Sequence, residues 1–166
     1  PAAAIIGWLI IEKIKDGKAT SVGAASGAVP GLVAITPACA VLTPFWAIVL
    51  GLVAGVLCAL AVDLKFKLGF DDSLDVVGIH LVGGLIGTLY LGFFATNVGL
   101  FTGGDATQLL VQAIAAFTVM IYSFVMAYII GFAIEKTMGF RVTQEDELAG
   151  IDPVVHGEEG YVLETR

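Results

Sequence analysis

The residue type best able to move a proton sits where charged groups are scarce. His80 is the only acid, base or imidazole lying well inside any long apolar stretch of the chain. Burying a polar group without a partner costs roughly 2–7 kcal/mol, and an ionisable residue within a membrane segment is by default a functional candidate. An imidazole in water titrates near about 6.5, and removal of water favours its uncharged form. A neutral ring offers one nitrogen as donor and the other as acceptor. In a dry, narrow passage it could take a proton from a small solute and return it. The competing reading is a neutral ring bonded to a hydroxyl or carbonyl of a neighbouring helix. From this residue alone the two readings stand level.

The flanking segment DVVGIHLVGGLIGT, residues 75–88, supplies an apolar wall and room. Val76 lies one helical turn before His80, and Gly83, Gly84 and Gly87 lie one and two turns beyond. Positions i, i+4 and i+7 share a helix face. That face is expected to present valine, imidazole and a groove without side chains.

Other chemistries lack their parts. Cys39 and Cys58 have neither CxxC nor Cys/His ligand spacing and read as small buried hydrophobes. No metal site or cofactor is expected, and no nucleophile–base pair or phosphate loop supports an enzyme. The net charge of -7, with no basic stripe, gives no reason to expect nucleic acid.

The elements that must hold His80 are membrane helices. Of the 166 residues, 58% are hydrophobic and 14% charged, against about 25% charged in soluble domains. Apolar stretches cover roughly residues 20–40, 44–63, 75–96 and 106–135, each long enough to cross a bilayer that needs about 20 residues. Pro1 to about Ile11 reads as the end of a helix begun upstream, so the chain is expected to be part of a longer protein. The expected fold is an all-α polytopic transmembrane helix bundle over 1–135, followed by a water-exposed tail over 136–166.

Charge placement orients this topology. Lys13, Lys15 and Lys18 precede the first full stretch, Lys65 and Lys67 lie between the second and third, and Lys136, Arg141 and Arg166 follow the fourth. These are all eight Lys and Arg residues, and all fall on one side. The positive-inside rule makes that side cytoplasmic, tail included. Thr20 and Ser21 are expected to cap the first stretch; Asp72, Ser73 and Asp75 the third; and Asp105 with Gln108 the fourth. Pro30 and Pro37 predict a kink. Glycines four apart (Gly23, Gly27, Gly31; Gly51, Gly55; Gly83, Gly87) suit helices packed backbone to backbone in lipid. In the tail, Thr143 and Asp146 predict the start of a short helix, QEDELA, ended by Gly150.

DVVGIHLVGGLIGT resembles the second conserved-histidine helix of the ammonium transporter/methylammonium permease/Rhesus family. SGAVPGLVAITPAC (residues 26–39) is similar to the family's helix two spans earlier. GFRVTQEDELAGIDPVVHGEEGY (residues 139–161) resembles the cytoplasmic tail of its bacterial and archaeal ammonium transporters, with Gly160 where alanine is usual and Phe140 where leucine is common. The resemblance implies the end of span seven and spans eight to eleven of an eleven-span, inverted-repeat fold. It implies a homotrimer in the cell membrane that carries ammonium or ammonia, each protomer with its own pore. His80 would be the second of a pair of pore histidines, with Val76 and Val29 as apolar wall and Ser26 and Asp75 near the inner mouth. In the tail, Arg141, Gly150, Asp152, His156, Gly157, Glu158 and Tyr161 would order the segment or couple subunits, with His156 making a structural hydrogen bond. A PII-type signal protein would bind at that face. A membrane ammonium sensor of the same fold is the alternative. Alone, this portion is expected not to conduct.

Overall fold

Long apolar runs, punctuated by Gly, Pro and capping residues, fold as helices throughout the computed structural model, which describes residues 1–160. In chain order these are α1 (Ala2–Asp16), α2 (Ser21–Ile35), α3 (Pro44–Ala61), α4 (Leu64–Leu68), α5 (Val82–Phe94), α6 (Thr107–Thr137) and α7 (Gln144–Ala149). Two wider π-helical turns, Val77–Leu81 and Asp152–His156, complete them. The chain forms two compact units, Pro1–Val119 and Met120–Arg166.

Among the described residues, three helical stretches are long and apolar enough to cross a membrane: Pro44–Leu68, Val77–Phe94 and Thr107–Thr137. At about 1.5 Å per residue the last is roughly 46 Å long, more than one hydrocarbon thickness. The stretch expected over 20–40 is helical only over Ser21–Ile35. Pro37 has no N–H to continue the ladder. The Thr36 N–H is shared between the carbonyls of Leu32 and Val33 at 3.2 and 3.3 Å, and the chain goes on to Leu42 as hydrogen-bonded turns. The opening helix also differs from expectation. It runs past Ile11 to Asp16, where left-handed Gly17 (φ 78°) ends it by donating to the Lys13 carbonyl.

In the first unit, α1 and α5 each pack against both α2 and α3. Small side chains make this close. A Cβ on Gly55 would lie 2.1 Å from the Ala4 carbonyl oxygen, and one on Gly87 2.2 Å from that of Ala34. Two apolar clusters fill the interior, one around Ala34, Leu50, Ala54 and Tyr90, the other around Trp8, Cys58, Ala59 and Ile79.

Polar groups tie the ends. At one end Thr20 caps α2, its Oγ1 accepting the Gly23 N–H at 2.8 Å. The Glu12 carboxylate takes both the Thr20 N–H (3.0 Å) and hydroxyl (2.7 Å), so α1 itself braces that cap. Lys15 pairs with Asp63, joining the ends of α1 and α3. At the other end the Val41 carbonyl accepts the Thr96 N–H and hydroxyl, both at 2.9 Å. The Trp46 and Phe94 rings stack there 4.1 Å apart. Before α6, Asp105 Oδ1 accepts the Thr107 N–H at 2.8 Å, and hydrogen bonds from Thr107 hold its carboxyl below the ordinary value.

In the second unit, Thr143 caps α7 by accepting the Asp146 N–H at 3.2 Å, and Gly150 ends that helix at φ 101°. Both follow the sequence expectation. Cys58 is buried as expected, but Cys39 is exposed because the turns after α2 leave it outside the bundle.

Candidate functional site

His80 lies in a turn wider than an α-helix allows. In the π-helical turn Val77–Leu81, the N–H of Val82 reaches the carbonyl of Val77, five residues back. Such turns are rare single interruptions of α-helices and recur at functional sites. Here the extra residue buries Gly78 and Ile79 while leaving His80 exposed.

The turn is secured at its start by an acid. Asp72 accepts the N–H of Val76 on Oδ1 and that of Val77 on Oδ2, both at 2.8 Å. The first N–H groups of a helix have no intrahelical acceptor, and a carboxylate there also opposes the positive end of the helix dipole. Asp75 adopts the left-handed conformation at φ 57°, which costs an L-residue about 1–2 kcal/mol. Lys65 compensates by pairing with Asp75 Oδ1 at 2.6 Å and donating to the Asp72 carbonyl at 3.0 Å. The turn lies tight on α3: a Cβ on Gly78 would be 2.8 Å from Val62 Cα. The Cys58 thiol donates to the Ile79 carbonyl at 3.9 Å.

The expected groove beside His80 divides in two. Gly83 and Gly87 are buried against other helices, Gly83 beside Val33 and Cys58 and Gly87 against Ala34. They are packing positions. Gly84 alone of the three has open space, and with Val76 (50% exposed) and His80 it forms an open strip along the helix. Gly83 and Gly87 lie one turn apart on α5, and Gly84 is offset from them by about 100°.

The other expected residues are distributed as follows. Val29, half-buried on α2, packs against the Trp8–Cys58–Ala59–Ile79 cluster. Ser26 is half-buried one turn earlier on α2. Asp75 begins the His80 segment as expected of a helix-start acid, but its carboxylate answers Lys65 and the double cap falls to Asp72. Lys65 and Glu12 acquire roles that no local pattern announced, because their partners lie 10 and 8 residues away.

In the tail, Arg141 holds Glu147 with Nε and Nη2, the latter at 3.0 Å. That hydrogen bond keeps the Glu147 carboxyl below its ordinary value. Gly150 donates to the Asp146 carbonyl, and the Asp152 carbonyl accepts from Glu158 at 3.2 Å. Gly157, at φ 66°, ends the wide turn. His156 is exposed. Tyr161 lies outside the described residues.

Comparison with known proteins adds the following. Residues 1–161 match the model of the Ammonium Transporter Family. An ammonium transporter of Mycobacterium bovis is 52% identical over 96% of this chain and 36% of its own length. The crystal structure of Saccharomyces cerevisiae Mep2 is 32% identical, with a TM-score of 0.78 over 87% of this chain and 35% of that one. A structure described as a sensor Amt protein gives 29% identity and a TM-score of 0.83 over 91% and 38%. The chain thus spans a little over a third of the length of these proteins.

Proposed function

The chain belongs to the ammonium transporter family, and from that premise we propose that the intact protein carries ammonium or ammonia across a membrane through a narrow apolar passage lined by His80. The observation that carries this reading is the exposed imidazole on an open strip of the bundle, held by a rare turn geometry that recurs at functional sites.

The physical problem is charge. Moving an isolated ammonium ion into a low-dielectric interior costs tens of kcal/mol by Born solvation, so a group there sheds its charge. His80 answers it by accepting a proton on one ring nitrogen while donating from the other, with a second imidazole from the rest of the protein as relay partner. Val76 and Val29 form the apolar wall, and Ser26 and Asp75 lie near the inner mouth. Potassium has no proton to give up and would have to enter such a passage charged, whereas ammonia crosses without its charge.

The basic ends of the helices and the tail face the cytoplasm in this reading, by the positive-inside rule. The protein works as a homotrimer in the cell membrane. Its tail, ordered by Arg141, Gly150, Asp152, Gly157 and Glu158 and continued by His156 and Tyr161, offers the surface for a PII-type signal protein. The protein acts as a carrier or channel, without covalent catalysis.

A sensor that binds ammonium without passing it is the second reading, favoured by the similarity to the sensor Amt protein. Liposomes containing the intact protein separate the two. An imposed ammonium gradient is expected to change internal pH at a rate that rises with protein content and is unaffected by potassium. Saturable ammonium binding with no flux would overturn transport in favour of sensing.

A further inference from the structure

The loop joining α4 to the His80 segment is built around one ammonium group. Lys65 Nζ meets the Asp75 carboxylate and the Asp72 carbonyl together, and its side chain is only 18% exposed. Its two partners do different work. Asp72 fastens the first two N–H groups of the segment with both carboxylate oxygens. Asp75 is the left-handed residue at which the chain turns into the helix. Its carbonyl accepts the Ile79 N–H at 2.8 Å, so the strained residue is wired directly into the wide turn. From the other side, Gly78 is pressed on Val62.

We propose that Lys65, bridging Asp72 and Asp75, is the positioning residue that locks the π-helical turn in register and so aims the His80 ring. The functional side of this inference rests on His80 lining the passage; the geometric side does not. Without the bridge, Asp75 loses the cation that offsets its left-handed backbone, and the Asp72 carbonyl loses a donor. The turn then relaxes to ordinary α geometry, with the Val82 N–H returning to a carbonyl four residues back. Losing one residue from a turn rotates what precedes it by about 100°. His80 would move from the open strip toward the flank that Ile79 occupies.

The test reads position first and transport second, both in the intact protein. In a His80→Cys background, labelling by 2-aminoethyl methanethiosulfonate is measured with the parent protein's labelling subtracted. Adding Lys65→Met is expected to slow it about tenfold, and adding Lys65→Arg, which keeps a cation able to bridge, to leave it within about threefold of the background. Separately, with His80 in place, Lys65→Met is expected to lower maximal ammonium flux by about 10- to 100-fold at an unchanged half-saturating concentration. Lys65→Arg is expected to restore most of it. Should Lys65→Met fail to accumulate in the membrane, Asp75→Asn, which removes the carboxylate that Lys65 meets and keeps a side chain tolerant of the left-handed backbone, is expected to slow labelling in the same direction. Labelling indifferent to Lys65→Met, or to Asp75→Asn where that variant stands in, would overturn the proposal. Slowed labelling with undiminished flux would support the lock and count against His80 as part of the passage.

Discussion

In the intact protein, His80→Ala is expected to cut selective ammonium flux by about 100-fold or more, the scale of a lost proton-transferring group, while the amount of assembled protein stays the same. The two halves of this expectation have separate grounds. His80 packs into neither apolar cluster of the bundle, so its truncation leaves no cavity in either. The turn that carries it is held by Asp72, Lys65 and the Gly78–Val62 contact, none of which involves the imidazole. What the substitution removes is the only group on the Val76–His80–Gly84 strip that can exchange a proton. Flux measured by internal pH in liposomes, with potassium as the competing ion, reads the effect. Selectivity and pH dependence unchanged from the parent would take His80 out of the relay.

The second large effect is expected on the bundle itself. Gly55→Leu should destabilise the protein by about 3 kcal/mol or more, beyond the usual range for overpacking. The Cβ alone would lie 2.1 Å from the Ala4 carbonyl oxygen and 2.8 Å from its carbon. The obstacle is backbone, so no rotamer change relieves it. α1 and α3 must separate, and stability of a few kcal/mol is a large share of what a folded protein has. Gly51→Ala is the graded control, since its Cβ would come no closer than 3.2 Å, to the Ala3 Cβ, and a small shift accommodates it. Thermal unfolding of the solubilised protein should therefore show a large loss for Gly55→Leu and a small one for Gly51→Ala. Equal stability of the two would mean that α1 and α3 do not cross at Gly55.

The long helices were legible in the sequence because a bilayer demands a long apolar run and penalises charge within it. α3, α5 and α6 follow such runs closely, and the segregation of lysines to one set of loops agrees with the Glu12–Thr20, Lys15–Asp63 and Lys65–Asp75 ties gathered at one end of the first unit. Apolarity is a poor guide to where a helix stops. α1 continues through Lys13 and Lys15 until a glycine takes the left-handed conformation, and α2 ends early because Pro37 lacks a donor. Thr20 and Thr143 could be recognised as caps from local sequence alone. Glu12, which braces the first of them from another helix, could not.

His80 stood out by its type and its surroundings, and the four-residue spacing marked Gly83 and Gly87 as packing positions, although the helix-face reading also placed them in a groove beside the imidazole. The i, i+4, i+7 rule assumes an unbroken α-helix, and no residue pattern in DVVGIHLVGG marks the extra residue in the turn. Within α5, Gly83 and Gly87 lie one turn apart on the packed face, and Gly84 lies about 100° away on the open one. The lock that fixes the wide turn depends on a lysine ten residues before Asp75, a spacing with no helical or turn meaning. Long-range polar ties of this kind belong to tertiary structure, and a single sequence carries no record of them.

An experimental structure of the intact protein would test the central claim most directly, through what the His80 ring faces. The account predicts an enclosed, apolar conduit beside the imidazole, with Val76 and Gly84 on the same wall and a second proton-exchanging group within hydrogen-bond reach. A ring turned to lipid, or sealed in side chains with no opening along Val76 and Gly84, would contradict it.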